Sequence, residues 1–444
     1  MSARISRVTG LRVTLAGLRG SRICGDASWA LLGQVGSGLV LLLGTRLLTE
    51  LVTPEAYGQV ALMVGVVALG VNNFATPFLC AGMRLLPEAV HRGQKWELQR
   101  IVSGLTARAV VLALLVLGVA GAVSAALSPG RPWLFAAAGL LLAATVRREL
   151  GVQLLIAERR QREATLWQTT DSLLRPALAI GLVLGWGGDP ALVLAGYALA
   201  GLTATALWAR NRDGAAGSQP AAIAGSLRRD VLAYAWPLIP MELVGWFTTL
   251  GDRYVIACLM TAADVGLYAA AYTLVNEAFN RSAMVLLRTF QPVYFGHIAA
   301  DRGDMARRAL RVWFVGVVAV GLAGVAGLLC LQDWVAQILL ADTFRSAAVL
   351  MPVIGAGCAL QAVAGVLAQP LYARKRTRPV LWGRLAGAVT AAVSIPLMVS
   401  RNGLMGAALA APLYFGTEAL VLLLVARCWT KDRRPLPPNI EKYP

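Results

Sequence analysis

Apolar residues in this chain come in long runs separated by short clusters rich in arginine, glycine and proline. A helix needs roughly 20 mostly apolar residues to cross the hydrocarbon core of a bilayer. On that criterion twelve spanning helices are predicted, near residues 27–51, 57–82, 101–127, 132–157, 165–187, 190–209, 232–259, 265–298, 309–332, 347–372, 379–400 and 403–427. Around them lie a basic arm at 1–26, a linker at 210–231 containing Gly214, Gly217, Ser218, Pro220 and Gly225, and a tail at 428–444. The linker divides the chain into two six-helix bundles, 27–209 and 232–427.

Composition agrees with a membrane chain: 57% of residues are hydrophobic, 14% are charged and the mean hydropathy is +0.64, too apolar for a protein that lives in water. The distribution of its net charge of +18 tests the span count. With the N-terminus inside, 29 Lys and Arg fall in inner segments and only Arg131, Arg345 and Arg401 in outer loops. Alternation at every turn supports twelve spans with both termini cytoplasmic, because one missed helix would invert every later loop. The N-terminal arm, with Arg4, Arg7, Arg12, Arg19 and Arg22, lacks the apolar core of a signal peptide and reads as a cytoplasmic or interfacial segment. Outer loops such as Gly187–Pro190 are too short for a ligand-binding or catalytic domain. Six scattered cysteines and two histidines support neither a disulfide framework nor a zinc site; no metal, cofactor or nucleic-acid partner is expected.

A weak repeat connects the halves. Sliding the chain by 208 residues aligns Thr53-Pro54-Glu55-Ala56-Tyr57-Gly58 with Thr261-Ala262-Ala263-Asp264-Val265-Gly266, and Asn72-Asn73 with Asn280-Arg281. Each half has an even number of spans, so the halves share orientation about a pseudo-two-fold axis along the membrane normal. The expected fold class is an all-α polytopic membrane protein with about 12 transmembrane helices in two six-helix bundles around a central cavity. Parallel halves of that kind suit alternating access. Pro77, Pro237, Pro240, Pro352, Pro370, Pro396 and Pro412 can kink their helices and free carbonyls.

Nine arginines remain inside spans: Arg46, Arg108, Arg147, Arg148, Arg175, Arg253, Arg281, Arg288 and Arg384. An arginine at the bilayer centre costs about 2.5–3.5 kcal/mol on insertion scales, so deep ones must face protein or water. Arg108 and Arg384 lie near the cytoplasmic ends and read as snorkelling anchors. Arg46 with Glu50, Arg253 with Asp252 and Arg175 with Asp171 suit a structural ion pair as well as a site. In span eight, Thr273, Glu277, Arg281 and Arg288 share one helical face, broadened by Asn276 and Asn280. That stripe lines a cavity or locks two helices; Arg147-Arg148-Glu149 in span four leaves the same choice. Cations exceed nearby acids, which points to an anionic passenger held by arginine forks. Candidate contacts are Arg281, Arg288, Arg147, Arg148, Arg175, Asn280 and Asn73, and Glu277, Asp252 and Glu242 could carry a coupling proton or sodium ion.

The sequence resembles the polysaccharide (Wzx-type) flippases of the multidrug/oligosaccharidyl-lipid/polysaccharide exporter superfamily. The resemblance rests on Trp29–Gln34, Arg46–Leu48 and Pro54–Gly58 in the first half, and on Trp236–Pro240, Asp252–Ile256 and Val265–Tyr272 in the second. It implies movement of undecaprenyl-diphosphate-linked oligosaccharide to the outer leaflet of a bacterial inner membrane. Two six-helix bundles enclosing a cationic cavity, and partners such as a polymerase and other glycan assembly proteins, are implied with it. A multidrug exporter of the same superfamily, a peptidoglycan-precursor flippase and a non-transporting scaffold are the competing readings. An enzyme is the least favoured, since no acid/base constellation or motif-bearing loop is visible.

Overall fold

The computed structural model describes residues 40–127, 132–158, 160–209, 224–374 and 378–430, with Gly36 and Gly38. Regular structure among these residues is helical throughout, as it must be where lipid offers the backbone no partner. Helix α1 occupies 40–51, followed by α2 (Pro54–Phe74), α3 (Thr76–His91), α4 (Lys95–Leu127), α5 (Pro132–Ala157), α6 (Gln161–Trp186) and α7 (Pro190–Ala209). The second half contains α8 (Ala224–Ala235), α9 (Leu238–Leu259), α10 (Ala262–Ala299), α11 (Gly303–Leu339), the 3₁₀ helix η1 (Asp342–Leu350), α12 (Met351–Ala373) and α13 (Arg378–Thr430).

Each expected span is helical where it is described, but several are assembled differently from the sequence expectation. Span two is α2 plus α3, broken at Ala75 ahead of Pro77; span seven is α8 plus α9, broken at Pro237. Spans eleven and twelve run through α13 around Gly403, whose φ of 56° and ψ of −137° make the turn, a conformation that favours glycine. Of the expected linker, 210–223 lies outside the described residues and the remainder opens α8. The basic arm lies outside them too, as does the tail beyond Thr430. Seven stretches are long and apolar enough to cross a membrane by length and composition. Helices α5, α6 and α10 are not among these, and they carry Arg147-Arg148-Glu149, Asp171 with Arg175, and Glu277 with Arg281. Charge within these three helices accounts for part of the difference from twelve; α13 counts once for spans eleven and twelve, and span one is described only in part.

The chain separates into two compact units. The first holds Phe74–Leu182 and Leu194–Trp236 with the chain up to Gly44, and the second Thr45–Asn73, Val183–Val193 and Pro237–Pro444. In the first, Trp167 is fully buried among Val152, Leu155, Ala164 and Ala204, and a Cβ on Gly151 would lie 2.2 Å from its ring. Helix α8 buries Leu227, Val231 and Ala235 at four-residue spacing, packs on α3 and α4, and leaves Arg228 and Arg229 exposed. Where α4 begins and α5 ends, Glu158 accepts from Lys95 at 3.0 Å and from Gln99 at 3.2 Å. Burial alone would raise the Glu158 pKa; the Lys95 and Gln99 hydrogen bonds and the Lys95 and Arg160 charges outweigh it and hold the carboxyl below the usual range.

In the second unit the sequence repeat reappears in space. Thr53 accepts from the Ala56 amide at 3.3 Å at the start of α2, and Thr261 forms a capping box with Asp264 at the start of α10. Four residues into each helix the two cross on glycine. A Cβ on Gly58 would lie 1.9 Å from the Ala262 carbonyl oxygen, and one on Gly266 would lie 1.9 Å from that of Pro54. These contacts are reciprocal in the 208-residue register, as a two-fold relation requires. Around the crossing, Arg46 donates to the Leu340 carbonyl, Thr49 accepts from the Ala341 amide at 3.2 Å, and Tyr57 meets Phe344 edge-on at 5.6 Å. Further along α2, Tyr254 and Trp246 each donate at 2.8 Å to the carbonyls of Leu62 and Gly65.

A methyl at the crossing meets backbone, which cannot rotate away. Gly58→Ala or Gly266→Ala should destabilise the detergent-purified protein by about 1–3 kcal/mol, read as a lower thermal midpoint. Gly316→Ala, with open space around its Cβ, should not, and equal midpoints for all three would contradict the crossing. For Glu158, a lowered folded pKa means stability present above about pH 4.5 and lost as pH falls through the depressed value. Lys95→Met should therefore cost up to about 1 kcal/mol near neutrality, with the difference vanishing in acid when melting is followed against pH.

Candidate functional site

In the first unit the sequence candidates on α5 and α6 form a salt-bridge network. Asp171, only 2% exposed, meets Arg175 Nε at 2.9 Å one turn along α6 and Arg148 Nη1 at 3.3 Å on α5. Arg148 also reaches Glu149 at 2.5 Å. Two guanidiniums are thus matched by two carboxylates, the arrangement a low-dielectric interior demands. Arg148 Nε and Asp171 Oδ1 nevertheless remain buried without partners. Arg147, the adjacent residue on the helix, is exposed and makes no ion pair among the described residues.

On α10 the expected polar face is present but divided. Arg281 pairs with Glu277 one turn earlier, Arg288 is exposed two turns further on, and Asn280 faces a cavity. Asn73 closes on its own helix, donating to the Leu69 carbonyl at 3.1 Å.

That cavity, about 440 Å³, lies within the second unit between α9, α10, α11, α12 and α13. Its polar wall includes Thr248, Asn280, Gln361, Gln369, Arg384 and Glu418. Gln369 is held by Gln291, which donates to it at 3.0 Å, and by its own bond to the Gly365 carbonyl. Phe279 forms part of the wall and fits against Gly324 and Gly355, where a Cβ would lie 2.7 Å and 3.2 Å from its ring. Glu242, expected as a coupling carboxylate, is half-buried on α9. Arg384 is the charge that acts on both Glu242 and Glu418. From sequence Arg384 reads as an interfacial anchor, whereas the structure places it in the cavity wall. Glu418 is missing from the sequence candidates, although a single acid in the otherwise apolar span twelve is itself a signal.

Asp252 and Arg253 do not pair with each other as expected. Asp252, 2% exposed, accepts from the Tyr268 hydroxyl at 2.7 Å and the Arg253 amide at 2.8 Å. Arg253, 8% exposed, lies over the Tyr272 ring at 5.2 Å, a cation–π contact strengthened by desolvation. Arg46 is engaged by Glu50 at 2.6 Å. The surplus of buried cations inferred from sequence is therefore largely neutralised within the protein. Groups that remain open are Arg147, Arg288 and the cavity wall.

Comparison with solved structures gives the fold. At TM-score 0.69 and 12% identity, 90% of this chain matches 87% of the lipid II flippase MurJ in an inward closed conformation. An inward-facing multidrug resistance MATE transporter of the MOP superfamily matches at TM-score 0.66 and 13% identity, over 89% of this chain and 95% of that one. A Vibrio cholerae MATE transporter matches at 0.60 and 13% identity, over 92% and 96% respectively. These neighbours are transporters and a flippase, not enzymes. No curated protein matches. The sequence pattern of the family described as "Polysaccharide biosynthesis protein" extends over residues 47–349, well over half of the chain, and the protein belongs to that family.

Proposed function

We propose that the protein is a flippase carrying undecaprenyl-diphosphate-linked oligosaccharide from the cytoplasmic to the outer leaflet of a bacterial inner membrane by alternating access, for surface or exopolysaccharide synthesis. The observation that carries this reading is a polar, charge-bearing cavity inside a bundle of apolar membrane helices. Such a space costs free energy unless a polar passenger or water uses it. Membership of a polysaccharide biosynthesis family supports a glycan as that passenger, and a lipid carrier fits the likeness to a lipid II flippase. Both termini are assigned to the cytoplasm by the arginine distribution. A polymerase and other glycan assembly proteins would be its partners.

Arg288 and Arg147, exposed and without ion pairs among the described residues, are the best placed of the expected contacts to meet diphosphate. Arg281, Arg148 and Arg175 would first have to exchange an internal carboxylate for the passenger. For coupling to a proton or sodium ion we place Glu242 ahead of Asp252 and Glu277. Tyr268 closes off Asp252, and Glu277 is committed to Arg281.

One observation favours multidrug export instead. A carboxylate and the aromatic rings of Phe279 and Phe415 line the cavity, which suits a cation. Deletion of the gene followed by leaflet-resolved analysis of lipid-linked glycans separates the readings. Accumulation in the cytoplasmic leaflet is expected; drug sensitivity with normal glycan export would overturn the flippase.

Arg281→Ala should also cause accumulation while the protein still reaches the membrane. The double variant Glu277→Gln/Arg281→Leu decides why. Restored export means the pair is structural, and a persistent loss of about tenfold or more, roughly 1.4 kcal/mol, means Arg281 meets the passenger. Asp171→Asn, which strands Arg175 and leaves Arg148 with Glu149 alone, should destabilise by about 3–5 kcal/mol, seen as a reduced thermal midpoint.

A further inference from the structure

The cavity wall of the second unit exposes hydrogen-bonding groups of both kinds that the protein does not satisfy. Asn280 and Gln361 have no hydrogen bond among the described residues, and Arg384 and Glu418, whose charges act on one another, form no direct ion pair there. Trp313, 1% exposed, lines the same cavity, and its indole Nε1–H is buried with no partner. That donor is closed off from the cavity by its own burial, so the polar groups an occupant can reach are Asn280, Gln361, Arg384 and Glu418.

The chemistry of these groups discriminates among occupants. Arg384 only donates, Glu418 in its ionised form only accepts, and Asn280 and Gln361 do both. A diphosphate accepts only; it would suit Arg384 but meet Glu418 as a like charge. An organic cation would suit Glu418 but meet Arg384 as a like charge. A hydroxyl donates once and accepts twice, so a polyol can answer each of these groups. Phe279 and Phe415 in the lining supply apolar surface for the C–H side of a sugar ring. A volume of 440 Å³ lies within the roughly 300–1,000 Å³ typical of small-ligand sites.

We propose that this cavity binds the sugar portion of the passenger, with Asn280, Gln361, Arg384 and Glu418 as its hydrogen-bonding groups, and that the diphosphate binds elsewhere. The proposal rests on the flippase reading and divides its substrate between two places. Site-selective protection tests it. In a background with the six native cysteines replaced, Gln361→Cys and, separately, Asn280→Cys are reconstituted in nanodiscs and labelled with a maleimide. Lipid-linked glycan extracted from the deletion strain should slow labelling at both positions by roughly tenfold at ten times its dissociation constant. Undecaprenyl diphosphate without sugar should leave the rate unchanged. Equal protection by undecaprenyl diphosphate, protection by ethidium but not by glycan, or no protection by glycan overturns the sugar site. If deletion yields no accumulated lipid-linked glycan, the flippase reading itself fails, an outcome distinct from unprotected cysteines in the presence of extracted glycan.

Discussion

A charged side chain in hydrocarbon must find its counter-charge within the protein, and that requirement arranges most ionisable residues of the spans. Asp171 holds two arginines from two helices, Glu277 holds Arg281 within one turn, and Arg253 is placed over the Tyr272 ring with the Asp252 carboxylate on its own amide. Helices α5, α6 and α10 carry the paired residues and fall outside the stretches that qualify as spans on length and composition. They remain within the bilayer because the charges are matched inside the bundle. The cavity of the second unit is the exception, with the Asn280 and Gln361 amides open in its wall beside Arg384 and Glu418.

Backbone proximity imposes a second constraint. Where α2 and α10 cross, carbonyl oxygens stand where a β-carbon would be, and only glycine permits it. Capping threonines at matching positions set the start of each helix. The crossing therefore follows from two local signals per helix, a cap and a glycine five residues later, repeated 208 residues apart.

Much of this fold could be read from the chain because bilayer thickness converts apolar run length into helix number, and loop arginines give direction. The breaks at Ala75 and Pro237 were foreshadowed by Pro77 and Pro237, but helix α8 was hidden. Its Leu227, Val231 and Ala235 are too few to stand out beside Gly225 and two arginines. The site was less legible. Sequence shows which charges lie in spans but not which meet, so the pairing of Asp171 with Arg175 stands level with a site and the reach of Arg148 from α5 to Asp171 is hidden. Arg384 reads as an anchor because linear depth says nothing about which neighbours a side chain faces. Uncharged groups such as Gln361 and Trp313 are ordinary helix residues until five helices bring them to one wall.

The reciprocal crossing has an ancestral consequence. With an even number of spans in each half, an unfused six-span precursor carrying the same capped turn would insert every copy in one orientation. Its Gly58-like position would then meet the residue four before the equivalent glycine on a second copy, and the reverse contact would form at once. Such a chain is a parallel symmetric homodimer held through its own first turn. Fusion of two copies then frees each partner to diverge, so one half can collect neutralised arginines while the other develops the open polar wall.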